Sequence, residues 1–140
     1  MTIQVKQTIN APAQKVWETI RTFENPERFV PMVKSSNVER QGDSAQRTCA
    51  VQFGEQEVKL VEQLKLADDE HKVLEFTIDE APPPFKGMYE RWQITALSDD
   101  TSEIQISTNF EDDSPEATQM IQGVFQMIAD GLKNLHEEVN

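Results

Sequence analysis

The chain has 140 residues, with 13 Lys+Arg against 25 Asp+Glu and a formal net charge of -12, a length that suits one domain over 1–140 and a charge that repels phosphate backbones and anionic headgroups, which argues against nucleic acid as a partner. Its one cysteine, Cys49, excludes an internal disulfide. The opening MTIQVKQTIN lacks a leader's basic and apolar segments, and no stretch approaches the roughly 20 apolar residues of a transmembrane segment, so a cytoplasmic protein is expected.

Residues 3–9 alternate, with Ile3, Val5 and Ile9 against Gln4, Lys6 and Thr8, as a half-buried strand does. Asn10-Ala11-Pro12 opens a helix, with Pro12 in its first turn, where a missing N–H costs nothing. Val16, Trp17, Ile20 and Phe23 give that helix one apolar face. Asn25-Pro26 breaks it, and a short second helix over Pro26–Phe29 runs into Pro31. Six strands are expected next: Val33–Glu39, Ala45–Phe53, Glu55–Leu66, Lys72–Asp79, Lys86–Leu97 and Ser102–Phe110. Most of the breaks between them are short and polar, as hairpins require. Ser114, Pro115 and Glu116 then start a helix. It carries Met120, Ile121, Val124, Phe125, Ile128, Leu132 and Leu135 on a wide apolar stripe and runs to about Glu137, roughly 34 Å. One helix with one apolar face must cover one side of one antiparallel sheet, an α+β arrangement of order β-α-α-β6-α.

Several stretches are similar to the START/Bet v 1-like (SRPBCC) superfamily, in its polyketide cyclase/dehydrase-type bacterial branch. They are the run Ile9 to Val33 with Ala11-Pro12, Val16-Trp17, Phe29 and Pro31, the strand–Glu–strand pattern around Glu62, and Tyr89 with Trp92 in one strand. Phe29 stands where many members carry Trp. The resemblance covers the whole chain in element order. It implies a helix-grip fold, a curved seven-stranded antiparallel sheet wrapped around the long C-terminal helix, with a cavity for a hydrophobic small molecule. It implies no single activity, because members include lipid carriers, hormone receptors and cyclases.

Alternation assigns the inward faces. Cys49, Val51 and Phe53 share one, as do Val58, Leu60, Leu64 and Leu66, and then Leu74, Phe76 and Ile78. Met88, Trp92, Ile94 and Ala96 form the next, followed by Ile104, Ile106, Thr108 and Phe110. Three charged residues land on these apolar faces: Arg47, Glu62 and Glu90. The turn Phe53-Gly54-Glu55-Gln56 reads as a type II′ hairpin. That register pairs Val51 with Val58, Cys49 with Leu60 and Arg47 with Glu62, and puts Glu90 two strands away on the same face. An arginine facing a carboxylate there reads three ways. It is a structural ion pair that holds register, a polar anchor for a ligand, or part of an acid/base site using Glu62 or Glu90. The candidate ligand-binding set is therefore Arg47, Cys49, Phe53, Leu60, Glu62 and Phe76, joined by Met88, Glu90, Trp92, Phe110, Val124 and Ile128.

The connection Ala81–Phe85, stiffened by three prolines, is a candidate for the cavity mouth, with a plain stiff connection as the alternative. Met120 and Met127 are candidates for the lining, with ordinary core as the plainer reading, and Gly123 and Gly131 sit inside a helix where close packing would explain them. Neither His71 nor His136 has companions at metal-ligand spacing, and no phosphate loop, dinucleotide fingerprint or nucleophile elbow is present, so no metal and no cofactor are expected. Three functions follow. The first is binding or transport of a hydrophobic small molecule, whether lipid, isoprenoid or polyketide-like, by a monomer or weak homodimer. The second is an aromatase/cyclase-like enzyme. The third is a protein-interaction domain whose cavity is filled by side chains.

Overall fold

The computed structural model describes residues 2–110 and 114–137. Among them seven strands form one antiparallel sheet of order β1-β7-β6-β5-β4-β3-β2. β1 (Thr2–Ile9) precedes helix α1 (Ala13–Ile20) and a 3-10 turn (Pro26–Arg28). Then come β2 (Val33–Gln41), β3 (Ser44–Phe53), β4 (Gln56–Asp68), β5 (Val73–Glu80), β6 (Tyr89–Ala96), β7 (Ser102–Asn109) and helix α2 (Pro115–Glu137). This is the expected α+β helix-grip order. No helix among the described residues is long and apolar enough to cross a membrane.

The stripe of α2 faces the sheet: Ile121, Phe125, Ile128 and Leu132 are buried, with Val124, Met127 and Leu135 packed beside them. The helix starts as expected. The backbone N–H of Ala117 donates to Ser114 Oγ, which satisfies one of the open donors of the first turn. Met120 is 50% exposed. On the other flank, the indole N–H of Trp17 donates to Asp69 Oδ1 at 2.8 Å, and Arg21 Nε lies 2.8 Å from the same oxygen. These bonds pin α1 to the β4–β5 turn.

The hairpin of β3 and β4 has the expected register, with Val51 opposite Val58, Cys49 opposite Leu60 and Arg47 opposite Glu62. Gly54 takes φ +60° while Glu55 keeps a negative φ, the pattern of a type II′ turn.

Four expectations need correction. Leu66 points outward and is 40% exposed. The pairing of β4 with β5 slips between Leu64 and Leu66, so Lys65 is extra and Leu66 sits opposite Glu75 instead of continuing the Leu64 face. Ala96 is exposed because β6 ends there, beyond the cover of the helices. β6 begins at Tyr89, not Lys86, because residues 82–87 fold into turns closed by bonds from Phe85 N to Pro82 O and from Met88 N to Phe85 O. Finally, α1 stops at Ile20, and Phe23 lies past its end in left-handed backbone, φ 66°, though its side chain is buried.

The two glycines of α2 differ. A Cβ added at Gly123 meets nothing within 4 Å. Gly123→Ala is therefore expected to stabilise the chain by about 1 kcal/mol, the helix-propensity difference; a lower urea midpoint for this variant would contradict the placement. At Gly131 an added Cβ would overlap the carbonyl oxygen of Phe29 and lie 2.9 Å from its carbon. There the glycine lets α2 touch the segment after the 3-10 turn.

Candidate functional site

Between the sheet and α2 lies a cavity of about 70 Å³. Strands β3, β4 and β5 wall it with Val51, Leu60 and Ile78, while α2 contributes Val124, Phe125 and Ile128. Pro26, Val30 and Met32, from the 3-10 turn and the chain leading into β2, close another side. Phe53 from the β3–β4 hairpin and Phe85 from the proline-stiffened connection also line it, with ring centroids 5.9 Å apart. The proline connection that is a candidate for the mouth thus lies against the β3–β4 hairpin.

Ten of the twelve candidate residues line this cavity: Arg47, Cys49, Phe53, Leu60, Glu62 and Phe76, with Glu90, Trp92, Val124 and Ile128. Met88 and Phe110 do not. Both are buried, but Met88 precedes β6 and Phe110 follows β7. Alternation gave them the right face at the wrong distance along it. Neither Met120 nor Met127 lines the cavity. Pro26 sits in the three-residue 3-10 turn and Val30, Met32 and Phe85 in irregular chain, where no period assigns a direction, so the sequence does not point them at the cavity.

Arg47 and Glu62 meet as the register requires, and Glu90 lines the same cavity. Arg47 Nε donates to Glu62 Oε1 at 2.7 Å, and Arg47 Nη1 donates to the carbonyl oxygen of Phe23 at 3.2 Å. The left-handed turn at Phe23 therefore places its carbonyl where a buried guanidinium needs an acceptor. Phe23 also lies under Arg47, with the guanidinium carbon 3.9 Å from its ring centroid, and the ring of Phe76 follows at 5.4 Å. Burial pulls the Arg47 pKa down, but the charge of Glu62 and its hydrogen bond outweigh that and hold it above the ordinary value. The thiol of Cys49 donates weakly to Glu62 Oε1 at 3.8 Å. Burial first, aided by Glu62, pushes that thiol up to about 12, so it is a neutral wall group rather than a nucleophile.

Glu90 is 5% exposed and accepts the indole N–H of Trp92 on Oε1 at 3.0 Å. It has no ion-pair partner among the described residues. Burial, and then the charge of Glu62, raise it from 4.5 to about 7, against the smaller opposing effects of Trp92 and Arg47. Between about 4.5 and 7 the folded chain holds a proton that the unfolded chain has released. Stability therefore falls as pH rises through that window, by on the order of 3 kcal/mol. Glu90→Gln keeps an acceptor for Trp92 and is expected to remove this fall. Its advantage over the natural chain in urea unfolding should be near zero at pH 4 and largest at pH 8; an advantage independent of pH would contradict it.

His71 Nδ1 lies 2.8 Å from Asp68 Oδ2 at an exposed turn, and His136 Nε2 lies 2.8 Å from Thr19 Oγ1, half-buried. Neither reaches the cavity, and no cluster of His, Cys, Asp and Glu suited to a metal occurs among the described residues.

Known proteins give this geometry its place. The fold superposes on a START superfamily protein from Mycobacterium smegmatis with a TM-score of 0.82 at 15% identity, covering 97% of both chains. It superposes on the Zhui aromatase/cyclase from Streptomyces sp. R1128 with a TM-score of 0.74 at 17% identity, covering 96% of this chain and 90% of that one. In sequence, 76 residues are 38% identical to the abscisic acid receptor PYL2 of Arabidopsis thaliana, a match over 53% of this chain and 40% of the receptor. The family model described as polyketide cyclase / dehydrase and lipid transport matches residues 1–140. With its whole length matched, the chain belongs to that polyketide cyclase/dehydrase and lipid transport family, and it carries the fold of the START protein.

Proposed function

We propose that this protein binds a small apolar molecule in the cavity under α2, with the Arg47–Glu62–Glu90 cluster orienting its polar end. The observation that carries the reading is an unfilled, largely apolar space with a carboxyl group, Glu90, on its wall that lacks an ion-pair partner among the described residues. Interiors of this kind are otherwise packed nearly void-free. At about 70 Å³ the space is smaller than the roughly 300–1,000 Å³ of drug-sized ligand sites. A lipid or a polyketide-like ring would enter by displacing Phe53 and Phe85, the paired rings at the hairpin and the proline connection. Burial supplies the affinity, at about 25 cal/mol per Å² of apolar area.

Native mass spectrometry of freshly purified protein tests this. A co-purifying apolar molecule is expected with the natural chain and is expected to be lost in Val124→Phe, which puts a ring into the void. Identical bare masses for both chains, with no added apolar molecule retained by either, would overturn the reading.

One observation favours a second reading, acid/base chemistry: Glu90 is buried on the cavity wall, and that burial raises its pKa to about 7, where a general acid or base works best. Unchanged turnover of a candidate carbonyl substrate by Glu62→Gln and Glu90→Gln would end it. The void itself weighs against a domain whose cavity is filled by side chains.

A further inference from the structure

The charges around the cavity do not balance. From β3, Arg47 faces it, and from β4, Glu62, and these two neutralise each other at 2.7 Å. The guanidinium is further committed to the Phe23 carbonyl and to the faces of Phe23 and Phe76. That leaves Glu90 on β6. Its neighbour across the β6–β7 ladder is Thr108, whose hydroxyl donates to the Tyr89 carbonyl. Cys49 on β3 is a neutral thiol, while β5, the proline connection, the 3-10 turn and α2 present only apolar side chains to the cavity. The cluster is short of one positive charge, and Glu90 carries a single neutral donor, Trp92, with no cation paired to it among the described residues.

We infer that the polar end of the ligand is an amine: an apolar skeleton bearing an ammonium group that pairs with the Glu90 carboxylate and completes the charge of the Arg47–Glu62–Glu90 cluster. This rests on the cavity reading above and narrows its ligand class. Below about pH 7 the ammonium takes the place of the proton that Glu90 holds, so binding there releases that proton, while at pH 8 it meets a carboxylate already ionised. A ligand carboxylate would add a second uncompensated negative charge and is rejected. A neutral alcohol or carbonyl fills the void but leaves Glu90 to its proton.

The test compares hexylamine, hexan-1-ol and hexanoate by isothermal titration calorimetry on the full chain at pH 6 and pH 8. Hexylamine is expected to bind about tenfold tighter than hexan-1-ol at pH 8, with hexanoate weakest. Its affinity is expected to rise about tenfold from pH 6 to pH 8, as Glu90 ionises around pH 7 while the amine stays charged. A carbonyl or carboxylic acid held by protonated Glu90 would show the opposite trend. In Glu90→Gln the amine preference and the pH step should vanish while hexan-1-ol binding persists. Hexan-1-ol binding as tightly as hexylamine at pH 8, or a pH step surviving in Glu90→Gln, would overturn the amine assignment and leave the cavity reading standing. Failure of all three compounds to bind would overturn both.

Discussion

Replacing Arg47 by Met is expected to lower the stability of the folded chain by about 3–5 kcal/mol, the range for stripping one partner from a buried ion pair. Arg47 and Glu62 are 5% and 3% exposed, and their bond is short and direct. Without the guanidinium, Glu62 keeps only the weak thiol contact of Cys49 among the described residues, and Glu90 loses the compensating charge of Arg47. The aromatic faces of Phe23 and Phe76 lose their cation as well. The loss belongs mainly to the orphaned carboxylate rather than to the pair. Arg47→Met combined with Glu62→Leu should therefore recover most of it, since a buried pair replaced by well-fitted apolar groups is often neutral or better. A urea double-mutant cycle measures this directly. A double variant as unstable as the Arg47→Met chain would show that the carboxylate is not the source.

Gly131→Ala is the second large effect. An ordinary helix glycine gains about 1 kcal/mol on becoming alanine. Here the new methyl would overlap the Phe29 carbonyl, which is backbone and cannot rotate away. Forcing atoms into a packed contact costs about 1–3 kcal/mol or more, so the sign reverses and a net loss is expected. Phe29 packs edge-on against Trp92, with centroids 6.2 Å apart, and Trp92 holds Glu90. Displacing the Phe29 segment should therefore also disturb the cavity wall. Thermal melts of Gly131→Ala and Gly123→Ala should move in opposite directions; a rise for both would contradict the close approach at Gly131.

Much of the site is legible in the sequence because a short hairpin leaves little freedom of register. Once Gly54 fixes the turn between β3 and β4, pairing Arg47 with Glu62 is arithmetic, and Glu90 follows from alternation in β6. Leu66 shows where this stops. Its direction is set by the extra Lys65 in the β4–β5 ladder, a property of two strands together that neither alone declares. Met88 and Phe110 show a second limit, since period two reports a face and not a position along it. Val30, Met32 and Phe85 enter from irregular chain with no period to read. The purpose of Gly131 is hidden for a related reason: helical spacing says which residues face inward but not what they meet.

Ligand binding in every form above requires an accessible apolar space between α2 and the sheet. Titration of hexan-1-ol into methyl-labelled protein, followed by NMR, tests it most directly. Saturable shifts are expected at the methyls of Val30, Val51, Leu60, Ile78, Val124 and Ile128, which line the space, with Leu66 and Leu97, exposed on the surface, unmoved. Shifts that fail to saturate, or that gather on Leu66 and Leu97 while the lining methyls stay still, would contradict it.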